Sequence, residues 1–168
     1  MKRNLRRLLS MFIVLLSITV MSGPLSQPIF ADDTTNKITI VHTNDMHGRM
    51  NQFPEIAKDT YSTYSLLALL NAYVKGNDVD FLFDAGDAIQ GLPISNLDKG
   101  KNMIDAMEAI GYDAMTIGNH EFDFGYDNIV QLKNSNKVPM VSNNVIKDGS
   151  EVFDRHTVVE KGTFKAGV

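Results

Sequence analysis

Cysteine is absent from the 168 residues. No disulfide framework and no thiolate zinc site can therefore hold this fold, which has to rest on a packed core or on metal bound by oxygen and nitrogen. Long apolar runs are equally scarce. The only one, Leu8 to Met21, is broken by Ser10, Ser17 and Thr19, and it is shorter than the ~20 apolar residues that cross a bilayer. Lys2, Arg3, Arg6 and Arg7 precede it, and Gly23, Pro24, Pro28 and Ala31 follow. Residues 1–31 read as a cleaved secretory signal ending at Ala31, which predicts a secreted, periplasmic or cell-surface protein with no stable membrane span. The four basic residues leave with that segment and no acidic ones do. The 16 Lys+Arg then fall to 12 against 20 Asp+Glu, and the net charge moves from −4 to −8. A chain so acidic, with no basic cluster, is not built for nucleic-acid polymers or anionic membranes. Also missing are the Gly-x-Ser-x-Gly elbow of serine hydrolases, the P-loop lysine pattern and a dinucleotide-binding fingerprint.

What remains after the signal is about 137 residues, enough for one ordinary domain. Strand and helix signals alternate along it, which predicts βαβ units and a largely parallel sheet of the α/β class. The first strand is expected over Ile38–His42, followed by a polar loop from Thr43 to Asp59. A helix over about Ser62–Val74 should bury Leu66, Leu67, Leu69, Leu70, Tyr73 and Val74 and end at Gly76-Asn77. Val79–Phe83 reads as the second strand and Ala85–Pro93 as a Gly-rich loop. Lys101–Ile110 reads as a helix burying Met103, Ile104, Met107 and Ile110, stopped by Gly111. Ala114–Ile117 is the third strand, Tyr126–Asn136 a helix and Val138–Val141 the fourth strand. Short β segments at Val152–Val159 and Thr163–Val168, joined at Lys161-Gly162, predict an antiparallel hairpin after the parallel units.

Three polar segments follow the first three strands directly: Asp45-Met46-His47, Gly86-Asp87, and Gly118-Asn119-His120-Glu121-Phe122-Asp123. Ligands of open α/β sheets gather at the carboxyl edge of the strands, so these clusters are expected to converge there on metal ions. Asp45 and His47 offer a carboxylate oxygen and an imidazole nitrogen one residue apart. Alone, that pair is better described as a loop Asp in an Asx turn beside an exposed histidine. Gly86 permits a tight turn before Asp87, whose two oxygens can bridge two cations. Asp84, just inside the strand end, is expected to brace the turn rather than bind metal. Asn119 offers a neutral carbonyl oxygen, and Asp123 lies within reach of the His120 imidazole. Such a carboxylate fixes one tautomer and favours the protonated ring.

The order Asp-x-His, Gly-Asp, Gly-Asn-His-Glu resembles the calcineurin-like metallophosphoesterases. Thr43-Asn44-Asp45-Met46-His47-Gly48, Gly86-Asp87-Ala88-Ile89-Gln90-Gly91 and Gly118 to Asp123 are similar to the 5′-nucleotidase branch. The strand ending at Ser142-Asn143-Asn144-Val145 fits it too. The resemblance runs from about Lys37 to Val168. It implies the N-terminal portion of a four-layer α/β/β/α sandwich whose substrate domain is separate. It also implies two divalent metal ions (zinc, manganese or iron), with Asp45 and His47 on one, Asp87 bridging and Asn119 on the other. His120 and Asp123 would be the catalytic dyad. The reaction implied is hydrolysis of extracellular nucleotides by in-line attack of a metal-bound hydroxide on phosphorus. Two further readings stay open: a 2′,3′-cyclic-nucleotide phosphodiesterase or UDP-sugar hydrolase of the same family, and a non-catalytic secreted remnant or binding module.

The family draws three more histidines from later loops, including a Gly-His-x-His segment. Of the four histidines here, the remaining two, His42 and His156, match no ligand position. Lys165-Ala166-Gly167-Val168 resembles the opening of the family's Lys-x-Gly-Val-Ile-Gly strand. Residues 32–168 are therefore expected to be the amino-terminal part of a larger catalytic domain. A Gly-His-x-His segment in an extended reading frame would favour the enzyme over the remnant. The isolated chain should release little phosphate from nucleotides and be poorly soluble. Robust metal-dependent release by the purified chain would contradict this.

Overall fold

The computed structural model describes residues 37–50 and 65–168. The expected signal segment, most of the first polar loop and the first turn of the expected helix at 62–64 lie outside the described residues.

Four short strands form one parallel sheet in chain order: β1 (Ile40–Thr43), β2 (Phe81–Asp84), β3 (Ala114–Thr116) and β4 (Met140–Val141). Register runs Ile40 to Phe81 and Thr43 to Asp84 across β1–β2, Asp84 to Met115 across β2–β3, and Met115 to Met140 across β3–β4. All four strands start or stop one or two residues away from expectation. Thr39 pairs only partly, through Phe81 N–H and the Asp80 side chain, so regular pairing begins at Ile40.

Helices α1 (Leu66–Gly76), α3 (Lys101–Ile110) and α4 (Tyr126–Ser135) connect these strands, with a short α2 (Pro93–Asn96) at the end of the Gly-rich loop. Side chains alternate across a sheet. Leu82, Met115 and Met140 share one face and join a core with Leu67, Met103, Ile104, Met107, Ile129 and Leu132. Phe81 and Phe83 lie on the opposite face, stacked with ring centroids 5.9 Å apart. Ile40 shares that face and remains 56% exposed.

α1 begins at Ser65, whose hydroxyl accepts from Ala68 N–H and donates to Met50 O. Its buried stripe is narrower than expected: Leu67 is buried and Leu66, Leu70 and Val74 partly so, whereas Leu69 and Tyr73 are exposed. A helical step of about 100° carries those two residues off the stripe. Gly76 is the last helical residue and Asn77 follows in extended conformation, so this end lacks the left-handed glycine expected. Gly111 supplies one after α3 at φ 97°, and its N–H reaches Met107 O and Glu108 O. Ile110 is only partly buried.

Two antiparallel hairpins follow. β7 (Val158–Lys161) and β8 (Phe164–Gly167) form the expected one, although residues 152–157 are not a strand. β5 (Ile146–Lys147) and β6 (Ser150–Glu151) form another that was not predicted. Its turn is Asp148-Gly149, at φ 52° and 78°, a two-residue pair suited to a tight hairpin.

Asp84 ties β1 to β2 from inside. It is 4% exposed, accepts from Thr43 Oγ1 at 2.6 Å and from Gly86 N–H at 2.9 Å, and Thr43 Oγ1 also lies 2.8 Å from the Tyr112 hydroxyl. It braces the turn, as expected. Burial pushes its carboxyl from 3.8 to about 6, against the lowering effect of those hydrogen bonds and with small contributions from Glu121 and Asp45. A folded state that holds this proton more tightly is favoured below pH 3.8, and the advantage is lost as pH rises through about 6. That offset is worth about 3 kcal/mol. In metal-free urea unfolding, wild-type stability should fall across this window relative to Asp84→Asn, which has no carboxyl to titrate there. Parallel pH profiles would contradict the assignment.

Candidate metal centre

The three polar segments meet where β1, β2 and β3 end. Strand pairing continues beyond the strands: Asp45 N–H donates to Gly86 O, His47 N–H to Asp87 O and Gly48 N–H to Ala88 O, at 3.0, 3.0 and 2.8 Å. This rung-by-rung contact sets the first two segments side by side. The third closes on them through Asp87, whose Oδ1 accepts from His120 N–H at 2.8 Å. Space between the loops is minimal. A Cβ on Gly118 would lie 2.3 Å from Asp87 Oδ1, and one on Gly91 would lie 2.1 Å from His47 O.

His47, Asp87 and His120 converge, with one ligand atom from each lying within 4.8 Å of the others. The two imidazoles meet edge to face at 4.9 Å. His47 Nδ1 is 3.0 Å from Gln90 O. A carbonyl only accepts, so Nδ1 carries the proton and Nε2 keeps its lone pair. That lone pair is 3.8 Å from Asp45 Oδ1, while Asn44 Nδ2 donates to Asp45 Oδ2. His120 Nδ1 is 2.8 Å from Asp123 Oδ2, which is the expected pair. The Asp123 hydrogen bond, helped by the charges of Asp123, Asp87 and Glu121, holds the His120 imidazolium above the ordinary 6.5.

Asn119 is exposed at the start of a single 3₁₀ turn, His120–Phe122, that carries His120 forward. His42 is exposed on β1, and His156 lies beside Lys133 and Arg155 in an open cleft. Neither joins the convergent group among the described residues. The donor set fits a divalent cation: imidazole nitrogen with its far ring position anchored, plus carboxylate oxygen, is the mixture borderline metals take. Sequence reasoning missed two supports. Gln90 orients His47 through its backbone carbonyl, which no side-chain motif signals. Glu121 carries no role in the motif, yet it is fully buried against two segments of backbone, Asp87 to Ile89 and Gly118.

A parallel sheet with imidazole and carboxylate clusters at its carboxyl edge defines an α/β protein with a candidate metal centre. The signature of the calcineurin-like phosphoesterases matches residues 38–168, and the chain belongs to that family, whose chemistry is phosphoester hydrolysis with divalent metals. Among curated relatives, a 5′-nucleotidase of Vibrio vulnificus is 35% identical over 159 residues, covering 90% of this chain and 28% of its own. Protein UshA of Escherichia coli is 32% identical over 143 residues, covering 83% of this chain and 26% of its own. The crystal structure of a 5′-nucleotidase precursor from Thermus thermophilus superposes with a TM-score of 0.63 at 27% identity, over 77% of this chain and 27% of that one. The chain thus spans about a quarter of the length of the curated relatives it matches. The α/β class and the parallel sheet are those of the amino-terminal domain in these structures.

The His120–Asp123 pair is open to direct titration. In the chain kept metal-free with chelator, proton NMR of the His120 ring should show a lower pKa in Asp123→Asn than in wild type. An unchanged His120 titration would mean the carboxylate does not govern it.

Proposed function

We propose that residues 32–168 contribute the amino-terminal part of the catalytic domain of an exported 5′-nucleotidase that hydrolyses nucleotide phosphoesters. The observation that carries this reading is the convergence of His47, Asp87 and His120 at one sheet edge, in a chain 35% identical to a 5′-nucleotidase. Export is supported by the charged and apolar pattern of residues 2–21 and by similarity to snake-venom 5′-nucleotidases. No helix among the described residues is long and apolar enough to cross a membrane.

Asp45 and His47 would hold one cation, Asp87 would reach both and Asn119 the second. Zinc, manganese and iron all suit this set. Bound there, the cations supply Lewis-acid charge to phosphoryl transfer. The chain's own groups do the rest. Asp123 keeps His120 protonated at Nδ1 and aims Nε2 toward the cluster. A protonated imidazole there offsets negative charge on a phosphoryl group or gives its proton to the departing alkoxide. Gln90 O turns the His47 lone pair inward, and the His120 N–H bond to the Asp87 carboxylate keeps the two groups in register.

The test is a chimera in which residues 37–168 replace the matching segment of the Vibrio vulnificus 5′-nucleotidase. It should release phosphate from AMP only with divalent metal and lose activity on chelation. His120→Ala should lower kcat by roughly 10²–10⁴, and Asp87→Ala should abolish metal-dependent turnover. Comparing AMP with UDP-glucose and 2′,3′-cyclic AMP separates the nucleotidase from its sister activities. A folded chimera inert toward all three substrates would refute the catalytic reading and leave the non-catalytic module.

A further inference from the structure

We infer that Glu121 is a positioning residue that holds the Asp87 carboxylate where a metal ion needs it, with the His120 turn locked beside it. The inference rests on the metal-centre reading above and deepens it. Glu121 is fully buried, and its carboxylate accepts four backbone N–H groups. Oε2 takes Asp87 N–H at 2.8 Å and Gly118 N–H at 2.7 Å. Oε1 takes Ala88 N–H at 2.7 Å and Ile89 N–H at 3.3 Å.

One buried anion thus staples the loop after β2 to the loop after β3 at the two residues where they touch. The sharing of Oε2 is decisive, because a single oxygen spans Asp87 on one loop and Gly118 on the other. Asp87 in turn receives His120 N–H, so its side chain is held from one side by the third loop and its backbone from the other. The left-handed φ of 57° at Asp87 is uncommon for a residue with a side chain. The N–H bonds from Asp87, Ala88 and Ile89 to one carboxylate hold it there. Gly118 completes the fit, since any side chain there would strike Asp87.

Only a carboxylate meets this demand. Glutamine has the same shape, but it replaces one oxygen with an NH₂ that would face N–H donors, leaving them unpaired in a buried place. All four hydrogen bonds of Glu121 go to backbone N–H groups and none to the side chains of His47, Asp87 or His120, so beyond its charge it acts on a cation through their positions.

The experiment titrates the full chain with Mn²⁺ alone and reads binding by electron paramagnetic resonance. Wild type is compared with Glu121→Gln and with Met103→Ala, which weakens the core behind the sheet. Glu121→Gln should bind Mn²⁺ on the order of ten- to a hundredfold more weakly, while Met103→Ala, at a similar or lower melting temperature, should bind as wild type does. The amide signals of Asp87, Ala88 and Gly118 should move in the Gln variant and stay in the Met103 variant. If Glu121→Gln does not fold, Glu121→Asp decides on the same criterion, since it keeps both oxygens but shortens the reach. Unchanged Mn²⁺ affinity in the Glu121 variant, or equal loss in Met103→Ala, overturns the positioning role and leaves the metal centre standing. A wild-type chain that binds no Mn²⁺ overturns both.

Discussion

Everything at the candidate site depends on backbone pairing that outlasts the strands. β1 and β2 end at Thr43 and Asp84, yet the two chains stay bonded through Gly48 and Ala88. Side chains on such a pair of loops inherit the spacing of a sheet, in which neighbouring chains run about 4.8 Å apart. Ligands to one cation need a similar separation. A parallel sheet whose loops keep their pairing therefore places an Asp-x-His from one loop opposite a carboxylate from the next without any long side chain reaching across.

The pairing comes with strain. Asp45, His47 and Asp87 all sit at φ near 50°, a region that non-glycine residues visit at a cost of order 1–3 kcal/mol each. Strain of this kind persists only where its surroundings over-determine it. Here they do: each of the three residues donates its N–H across the loop interface, and Gly48, Gly86, Gly91 and Gly118 let the neighbouring backbone come closer than any side chain would allow. The left-handed turns point the three side chains out of the strand ends to one side. Glycine would adopt the same turns at no cost, but would bring no donor to the cluster.

The parallel α/β fold is legible in the sequence, because strand, helix and loop signals alternate along it. Motif residues follow strand signals directly, so the carboxyl-edge rule sends the three polar segments to one edge, where His47, Asp87 and His120 converge. The pairing of His120 with Asp123 is local, three residues apart, and could be read as such. What escaped was whatever depends on distant partners or on turn chemistry. Glu121 looks like an ordinary motif acid until the loop after β2 closes on it, more than thirty residues earlier in the chain. The β5–β6 hairpin carries a local signal in Asp148-Gly149, but its strands of two residues each are too short to show an alternating pattern. Leu69 and Tyr73 belong to the expected apolar face of α1, whereas the helical step leaves them outside.

Among the described residues, every hydrogen bond that orients the convergent group arises between Asn44 and Asp123. His47 is turned by Gln90, His120 by Asp123, and Asp87 by Glu121 and His120. None of these supports is borrowed from the hairpins or from the exposed sheet face around Ile40. The arrangement is thus preorganised by the three strand–loop units themselves. That ordering entropy is met during folding of the sheet rather than at the moment a cation arrives. In consequence, sequence change in the hairpins or on the open sheet face should be tolerated by the ligand geometry, whereas one glycine or one buried acid between the loops should not.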